Sequence, residues 1–172
     1  MPGVSGSVII RRADALSEDE IGALAALLVS VVAEGASVGY LAPLDPERAR
    51  AYWRRVRGSS AALVLAEIDG ELVGTVQLQA AESENGGHRG EVCKLLVDPR
   101  ARRRGVGRAL LARAEAEGTM AGKSLLVLDT REGDPSNDLY RSAGWTVGGR
   151  IPDWARSSSG ELAATVFWFK SI

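Results

Sequence analysis

The stretch Glu91–Leu111, EVCKLLVDPRARRRGVGRALL, decides how the whole chain is read. Val92, Cys93, Leu95, Leu96 and Val97 form a short apolar run around Lys94, a strand pattern that Asp98-Pro99 closes with a turn signal. An arginine-rich loop, Arg100 to Arg104, leads into Gly105-Val106-Gly107 and then an apolar-periodic segment through Ala109, Leu110, Ala112 and Ala114. Strand, glycine loop and helix make a phosphate-binding layout. Gly105 and Gly107 lack a Cβ, so backbone N–H groups can approach an anion, and the helix dipole adds partial positive charge there.

Three motifs compete for this loop. GxxxxGK[ST] needs a Lys-Ser/Thr pair, and none follows Gly107. A dinucleotide fingerprint needs a small third residue, and Leu110 fills that place. The pattern RxxGxG is met by Arg102-Arg103-Arg104-Gly105-Val106-Gly107. Preceded by L-x-V-D-P (Leu95 to Pro99), it closely resembles the acetyl-CoA loop of the GNAT N-acetyltransferases. The resemblance implies that acetyl-CoA is held by Leu95, Leu96, Val97, Arg102, Arg103, Arg104, Gly105, Val106, Gly107 and Arg108. Which arginine reaches a phosphate stays open.

Outward from this unit, Ser7–Arg12 reads as a first strand, and Ser17-Glu18-Asp19-Glu20 as a capping box. Behind the box, Ile21, Leu24, Ala25, Leu28, Val31 and Val32 recur at helical spacing until Gly35. Asp45-Pro46 opens a second helix with Ala49, Tyr52, Trp53 and Val56 on its apolar face, which Gly58 stops. Ala61–Ile68 and Glu71–Gln79 read as strands joined by Asp69-Gly70, a type I′ hairpin signal. Beyond the central unit, Lys123–Leu128 is a strand of buried type, followed by Asp129-Thr130. Asp134 or Ser136 is placed to cap a short helix through Leu139, Tyr140 and Ala143. Trp145–Ile151 and Leu162–Lys170 complete a sheet, bridged by a loop through Trp154 and Ser157 to Gly160.

This order, β-α-α-β-β-β-α-β-α-β-β, is α/β, in one domain over residues 1–172 without internal repeats. The GNAT resemblance implies the same order. It also implies a twisted mixed sheet, largely antiparallel, parallel where the fourth and fifth strands split, with helices flanking it. Gly35-Ala36-Ser37-Val38-Gly39-Tyr40, Lys94-Leu95-Leu96-Val97, Leu128-Asp129-Thr130 and Ala164 to Lys170 look like the tabtoxin-resistance acetyltransferase group. Members of that group acetylate the amine of a small amino-acid-like toxin. A homodimer is implied by this resemblance only.

Composition excludes several other classes. Apolar residues at 45% and charged ones at 25% are globular values that rule out wholesale disorder. A formal net charge of −1 argues against a nucleic-acid binder despite the arginine cluster. The single cysteine, Cys93, and single histidine, His88, offer no internal disulfide and no metal-ligand cluster, so no metal is expected. Ile21–Ala33, the longest uncharged apolar stretch, is shorter than the roughly 20 residues that cross a bilayer. The arginines near the N-terminus follow the apolar residues, the reverse of a signal peptide, which makes the cytoplasm the expected compartment.

An alkyl ammonium has a pKa of about 10 and must lose a proton before it attacks a thioester. Glu91, at the start of the central strand, and Asp129, at the end of the next, can bind the cation and accept its proton. The plainer alternative makes both solvated strand ends. Tyr140 falls where GNAT members commonly place a tyrosine that protonates the departing thiolate; otherwise it packs its ring. Backbone N–H groups near Leu95 and Leu96, freed by a β-bulge that the resemblance implies, can polarise the thioester oxygen. Asn137 can bond the pantetheine arm, and Ser37 and Tyr40 sit in a loop able to close over a small acceptor. No residue is placed for a covalent intermediate, so transfer is expected to be direct. A protein N-terminal acetyltransferase and a catalytically silent CoA-binding module are the alternatives.

Overall fold

In a computed structural model, which describes residues 6–56 and 62–172, β1 (Val8–Arg12) is followed by α1 (Glu18–Ala33), α2 (Pro46–Val56), β2 (Ala62–Ile68) and β3 (Glu71–Ala80). Then come β4 (Arg89–Val97), α3 (Val106–Met120), β5 (Leu125–Arg131), α4 (Ser136–Ser142), β6 (Thr146–Arg156) and β7 (Leu162–Ser171). One seven-stranded sheet has the order β1-β2-β3-β4-β5-β7-β6. Every neighbouring pair is antiparallel except β4 with β5.

Local chemistry sets most element ends. Ser17 Oγ accepts from the Glu20 N–H at 3.2 Å, and Glu20 Oε2 accepts from the Ser17 N–H at 2.7 Å, the reciprocal box read in the sequence. Asp45 Oδ1 accepts from the Glu47 N–H at 3.0 Å, with Pro46 as the first helical residue. Asp69 and Gly70 both take positive φ (52° and 81°), as a type I′ turn requires. The expected stop at Gly58 and the strand start at Ala61 lie outside the described residues.

Two cores sandwich the sheet. On one face α1 and α2 bury Ile21, Leu24, Leu28, Ala49 and Trp53 against Leu63, Leu65 and Leu96. On the other, α3 and α4 bury Val106, Leu110, Leu111 and Tyr140 against Val64, Val76, Leu78, Leu126 and Trp168. Leu28 and Leu110 have no exposed surface, so truncating either to Ala costs about 2–5 kcal/mol.

Three expectations are corrected. β5 runs to Arg131 rather than ending at Leu128, because β7 pairs with it as far as Arg131↔Thr165; Asp129 therefore stands inside a strand. The segment through Trp154 is strand, not loop. β7 holds Ala155 and Arg156 in register, and an irregularity after Ile151, with Asp153 at φ 50°, absorbs the mismatch. Neither Asp134 nor Ser136 caps α4: its N-cap is Pro135 with no side-chain bond. Asp134 pairs with Arg131 at 2.7 Å, and Ser136 Oγ bonds Thr130 Oγ1 at 2.9 Å.

Candidate active site

The parallel strands separate almost as soon as they meet. β4 and β5 pair only at Arg89↔Leu125, Gly90↔Leu126 and Glu91↔Val127. Beyond Glu91 the facing edges of Val92–Val97 and Leu128–Arg131 part, and a gap opens through the middle of the sheet. Such a gap persists because each strand keeps its ladder on the far side, β4 with β3 and β5 with β7.

A bulge sharpens the opening. Thr75↔Leu96 and Gln77↔Cys93 are the pairs flanking a register shift, so Lys94 and Leu95 together oppose Val76. Lys94 takes φ 50°, a left-handed value uncommon outside glycine. The disruption falls at Lys94 and Leu95, overlapping the Leu95–Leu96 stretch where the GNAT resemblance implied a bulge, while Leu96 itself is back in register with Thr75.

At the carboxyl end of β4 lies the arginine loop. Arg103 and Gly105 take φ of 62° and 80°, and Gly105 is the N-cap of α3, offering no side-chain cap. Ala109 donates to Gly105 O at 3.0 Å, so the N–H groups of Val106, Gly107 and Arg108 precede the helical ladder and point out of its end. A Cβ built on Gly105 would meet no atom within 4 Å, so the space before the helix is open. Open space, unpaired N–H groups and the positive helix end fit a pyrophosphate.

The arginines divide by partner. Arg102 pairs with Glu34 at 2.7 Å, Arg104 Nη2 donates to Gly6 O at 2.8 Å, and Arg108 Nη2 donates to Ser142 Oγ at 2.6 Å. Arg103 is exposed and has no partner among the described residues.

Glu91 and Asp129 share the α1–α2 face, since Glu91 is level with Val127 and Asp129 is two residues further on. Strand spacing and rise put their Cα atoms about 8 Å apart before the strands diverge. A cation between them can reach both. Both are exposed, and Thr165 Oγ1 lies 2.8 Å from Asp129 Oδ2, which orients that carboxylate. In the sequence Thr165 stood only within the resemblance stretch Ala164 to Lys170; its contact with Asp129 crosses the β5–β7 ladder and was not legible there.

Tyr140 belongs to the opposite face. Its ring lies 6.1 Å from those of Trp145 and Trp168, and only 6% of its surface is exposed. Burial, with the charges of Asp129 and Asp134, raises its pKa well above the usual phenol value, so the hydroxyl stays protonated. Carboxylates on one face and tyrosine on the other meet only in a ligand threaded through the gap. Asn137 is otherwise engaged. Its Nδ2 donates to Arg131 O and Asp134 O, both at 2.9 Å, and its Oδ1 accepts from Trp168 Nε1 at 3.1 Å. It pins α4 to the end of β5.

Ser37 is exposed, while Tyr40 packs edge-on to Tyr52 at 6.0 Å. A Cβ on Gly35 would stand 3.1 Å from Ser158 Oγ, so the α1–α2 connection touches the β6–β7 turn. Trp154, half exposed, packs edge-on to Phe167 at 5.3 Å, and Phe167 pairs with Asp129. Trp53, Trp145 and Trp168 are core residues. Burial raises the Cys93 thiol pKa to about 11, which leaves too little thiolate for a nucleophile near neutral pH. Among the described residues no group of three or more His, Cys, Asp or Glu side chains is placed to hold a metal ion, and no helix is long and apolar enough to cross a membrane.

A split sheet with an open helix N-terminus at its mouth offers room for an extended ligand with an anionic tail. Residues 28–145 match the acetyltransferase (GNAT) family, and the chain belongs to it, as an acetyl-CoA-dependent N-acetyltransferase. It is 29% identical over 150 residues to an uncharacterized N-acetyltransferase in the hisH–hisA intergenic region of Azospirillum brasilense, covering 84% of this chain and 89% of that one. The structure of a ribosomal-protein-alanine N-acetyltransferase from Brucella melitensis superposes with a TM-score of 0.79 at 25% identity, over 95% of this chain and 99% of the other. That of yncA from Salmonella typhimurium, solved with its cofactor acetyl-CoA, gives 0.79 at 21% identity, over 96% and 94%.

Proposed function

We propose that this enzyme moves the acetyl group of acetyl-CoA directly onto the primary amine of a small, amino-acid-like molecule such as an antibiotic or toxin. The α3 N-terminus and Arg103 hold the pyrophosphate, while the freed β4 edge at Leu95–Val97 lines the pantetheine and faces the thioester oxygen as it gains charge. Glu91 and Asp129 hold the ammonium and take its proton, directly or through water. The freed amine attacks the carbonyl carbon, the C–N bond forms and the C–S bond breaks. Tyr140 donates a proton to the departing sulfur and is reprotonated, through water, by the second proton that the acylated nitrogen sheds.

The acceptor's small size is supported by one observation, the close approach of the α1–α2 connection to the β6–β7 turn, where Ser158 Oγ stands 3.1 Å from the position of a Cβ on Gly35. The Brucella melitensis relative, by name a ribosomal-protein-alanine N-acetyltransferase, favours a second reading with a peptide acceptor. A thiol-release assay with acetyl-CoA, run against amino acids, simple amines and short peptides, separates the two. Turnover confined to peptides overturns the small-molecule reading. A cytoplasmic setting suits the free thiol of Cys93. A homodimer suits the exposed Val147, Ile151 and Leu162 beside the sheet edge, and its mass is read by light scattering.

A further inference from the structure

The bulge on β4 changes which face Lys94 serves. In a regular strand Val92, Lys94 and Leu96 would share one face. Here Val92 lies in the α3 core and Leu96 in the α1–α2 core, so the parity switches between them. It switches at Lys94, the residue with left-handed φ. Two consecutive side chains therefore reach the carboxylate face. Cys93 Sγ is 3.8 Å from Gln77 Oε1, and Lys94 Nζ stands 5.3 Å from the Tyr52 ring centre and 6.0 Å from that of Tyr40. Strain held at a non-glycine residue inside a central strand needs a reason, and placing this ammonium on the carboxylate face supplies one.

Lys94 has company of its own sign. The Arg48 guanidinium lies 5.3 Å from the Tyr40 ring centre and that of Arg55 lies 5.8 Å from Tyr52. Arg48, Tyr52 and Arg55 are four and three residues apart on α2, hence on one stripe. Arg50 and Arg54, on other sides of the helix, are paired with Glu47 and Glu18. Arg48, Arg55 and Lys94 form no ion pair among the described residues. Beneath them Tyr52 donates to Gln77 Oε1 at 3.1 Å, while Gln77 Nε2 is buried without an acceptor. Three cations without an anion thus stand around the Tyr40 and Tyr52 rings, on the same face as Glu91.

We infer that this cluster reads an anionic group on the acceptor, with Lys94 as the residue that pairs with it. The inference rests on the acetyl-transfer reading above and adds a second charge to its substrate. The ammonium lies at Glu91 and Asp129, and a carboxylate or an anion of similar size lies at Lys94. The aromatic walls of Tyr40 and Tyr52 hold the lysine in place by cation–π attraction and lower the local dielectric, which strengthens the pairing.

The test compares α-amino acids with their own carboxamides, which keep the amine and lose the anion. Wild type is expected to favour the acids by on the order of 10–100-fold in kcat/KM, the worth of a charge-assisted hydrogen bond. Lys94→Met should collapse that ratio toward one, chiefly through the KM of the acids, whereas Lys94→Arg should keep most of it. Calorimetry with CoA checks that each variant still folds and binds its donor. An active wild type indifferent to the carboxylate overturns the inference alone. So does a Lys94→Met variant that loses acids and carboxamides in equal proportion, which marks a structural role. A wild type that binds CoA but releases thiol with no amine overturns the acetyl-transfer reading and this inference with it.

Discussion

Gly105→Asp separates donor binding from folding, because the structure assigns the two costs to different causes. At φ 80° any side chain meets backbone strain of about 1–2 kcal/mol, and aspartate stands at the low end because it tolerates left-handed geometry. No clash adds to this, since the Cβ would meet no atom within 4 Å. A carboxylate at a helix N-cap returns about 0.5–1 kcal/mol by bonding orphan N–H groups and opposing the dipole. Net destabilisation is therefore about 1 kcal/mol or less, a fall in Tm of roughly 2–4 °C for a chain of this size. Donor binding fares worse, because the same carboxylate occupies the N–H groups meant for pyrophosphate. At about 5 Å and an effective dielectric constant of about 20 the repulsion per charge is about 3 kcal/mol, less after salt screening. A loss of about 2–3 kcal/mol corresponds to a Kd for CoA raised on the order of 30–150-fold. Gly105→Ala, with the strain but not the charge, should lose far less affinity. Calorimetry with CoA beside thermal unfolding reads both quantities. Unchanged CoA affinity in a folded Gly105→Asp protein would refute the assignment of the helix end.

Tyr140→Phe keeps the buried ring and removes the proton, so kcat should fall about 10²–10⁴-fold with the KM for acetyl-CoA nearly constant; activity within twofold of wild type across pH would leave Tyr140 a packing residue. Glu91→Gln and Asp129→Asn should each raise the acceptor KM and lower kcat, with activity recovering toward pH of about 10 as free amine becomes abundant. An unmoved pH profile in both variants would place the proton acceptor elsewhere. Cys93 should react with a disulfide reagent at pH 8 roughly a hundredfold more slowly than a free thiol, because burial raises its pKa to about 11; denaturant should abolish the difference. The sign for stability follows: with the folded pKa raised, Cys93 contributes below its unfolded value of about 8.5 and loses that contribution as pH climbs through about 11. A stability curve flat from pH 8 to beyond about 11 would contradict that burial.

Where the governing interaction is local, the sequence already held the answer. The Ser17–Glu20 box, the Asp45-Pro46 start and the Asp69-Gly70 turn each involve residues at most three apart, and each stands as read. The strand–loop–helix around Arg102–Gly107 was legible for the same reason: its glycines and the following helical period act within one turn of themselves. Elements governed by distant partners were not. β6 continues past Ile151 to Arg156 because β7 pairs with it again at Ala155 and Arg156, and Asp129 lies within a strand because Phe167 stands opposite. Asp134 and Ser136 look like caps in one dimension, yet Arg131 and Thr130 claim them in three. The site divides along the same line. Sequence could nominate Glu91, Asp129 and Tyr140, but only the split sheet assigns them to opposite faces. Thr165 against Asp129 and Lys94 over Tyr52 are contacts across strands and layers, and the bulge that turns Lys94 depends on the register of β3. Register is a property of paired strands: it fixes which side chains share a face, and one chain segment read alone does not contain it.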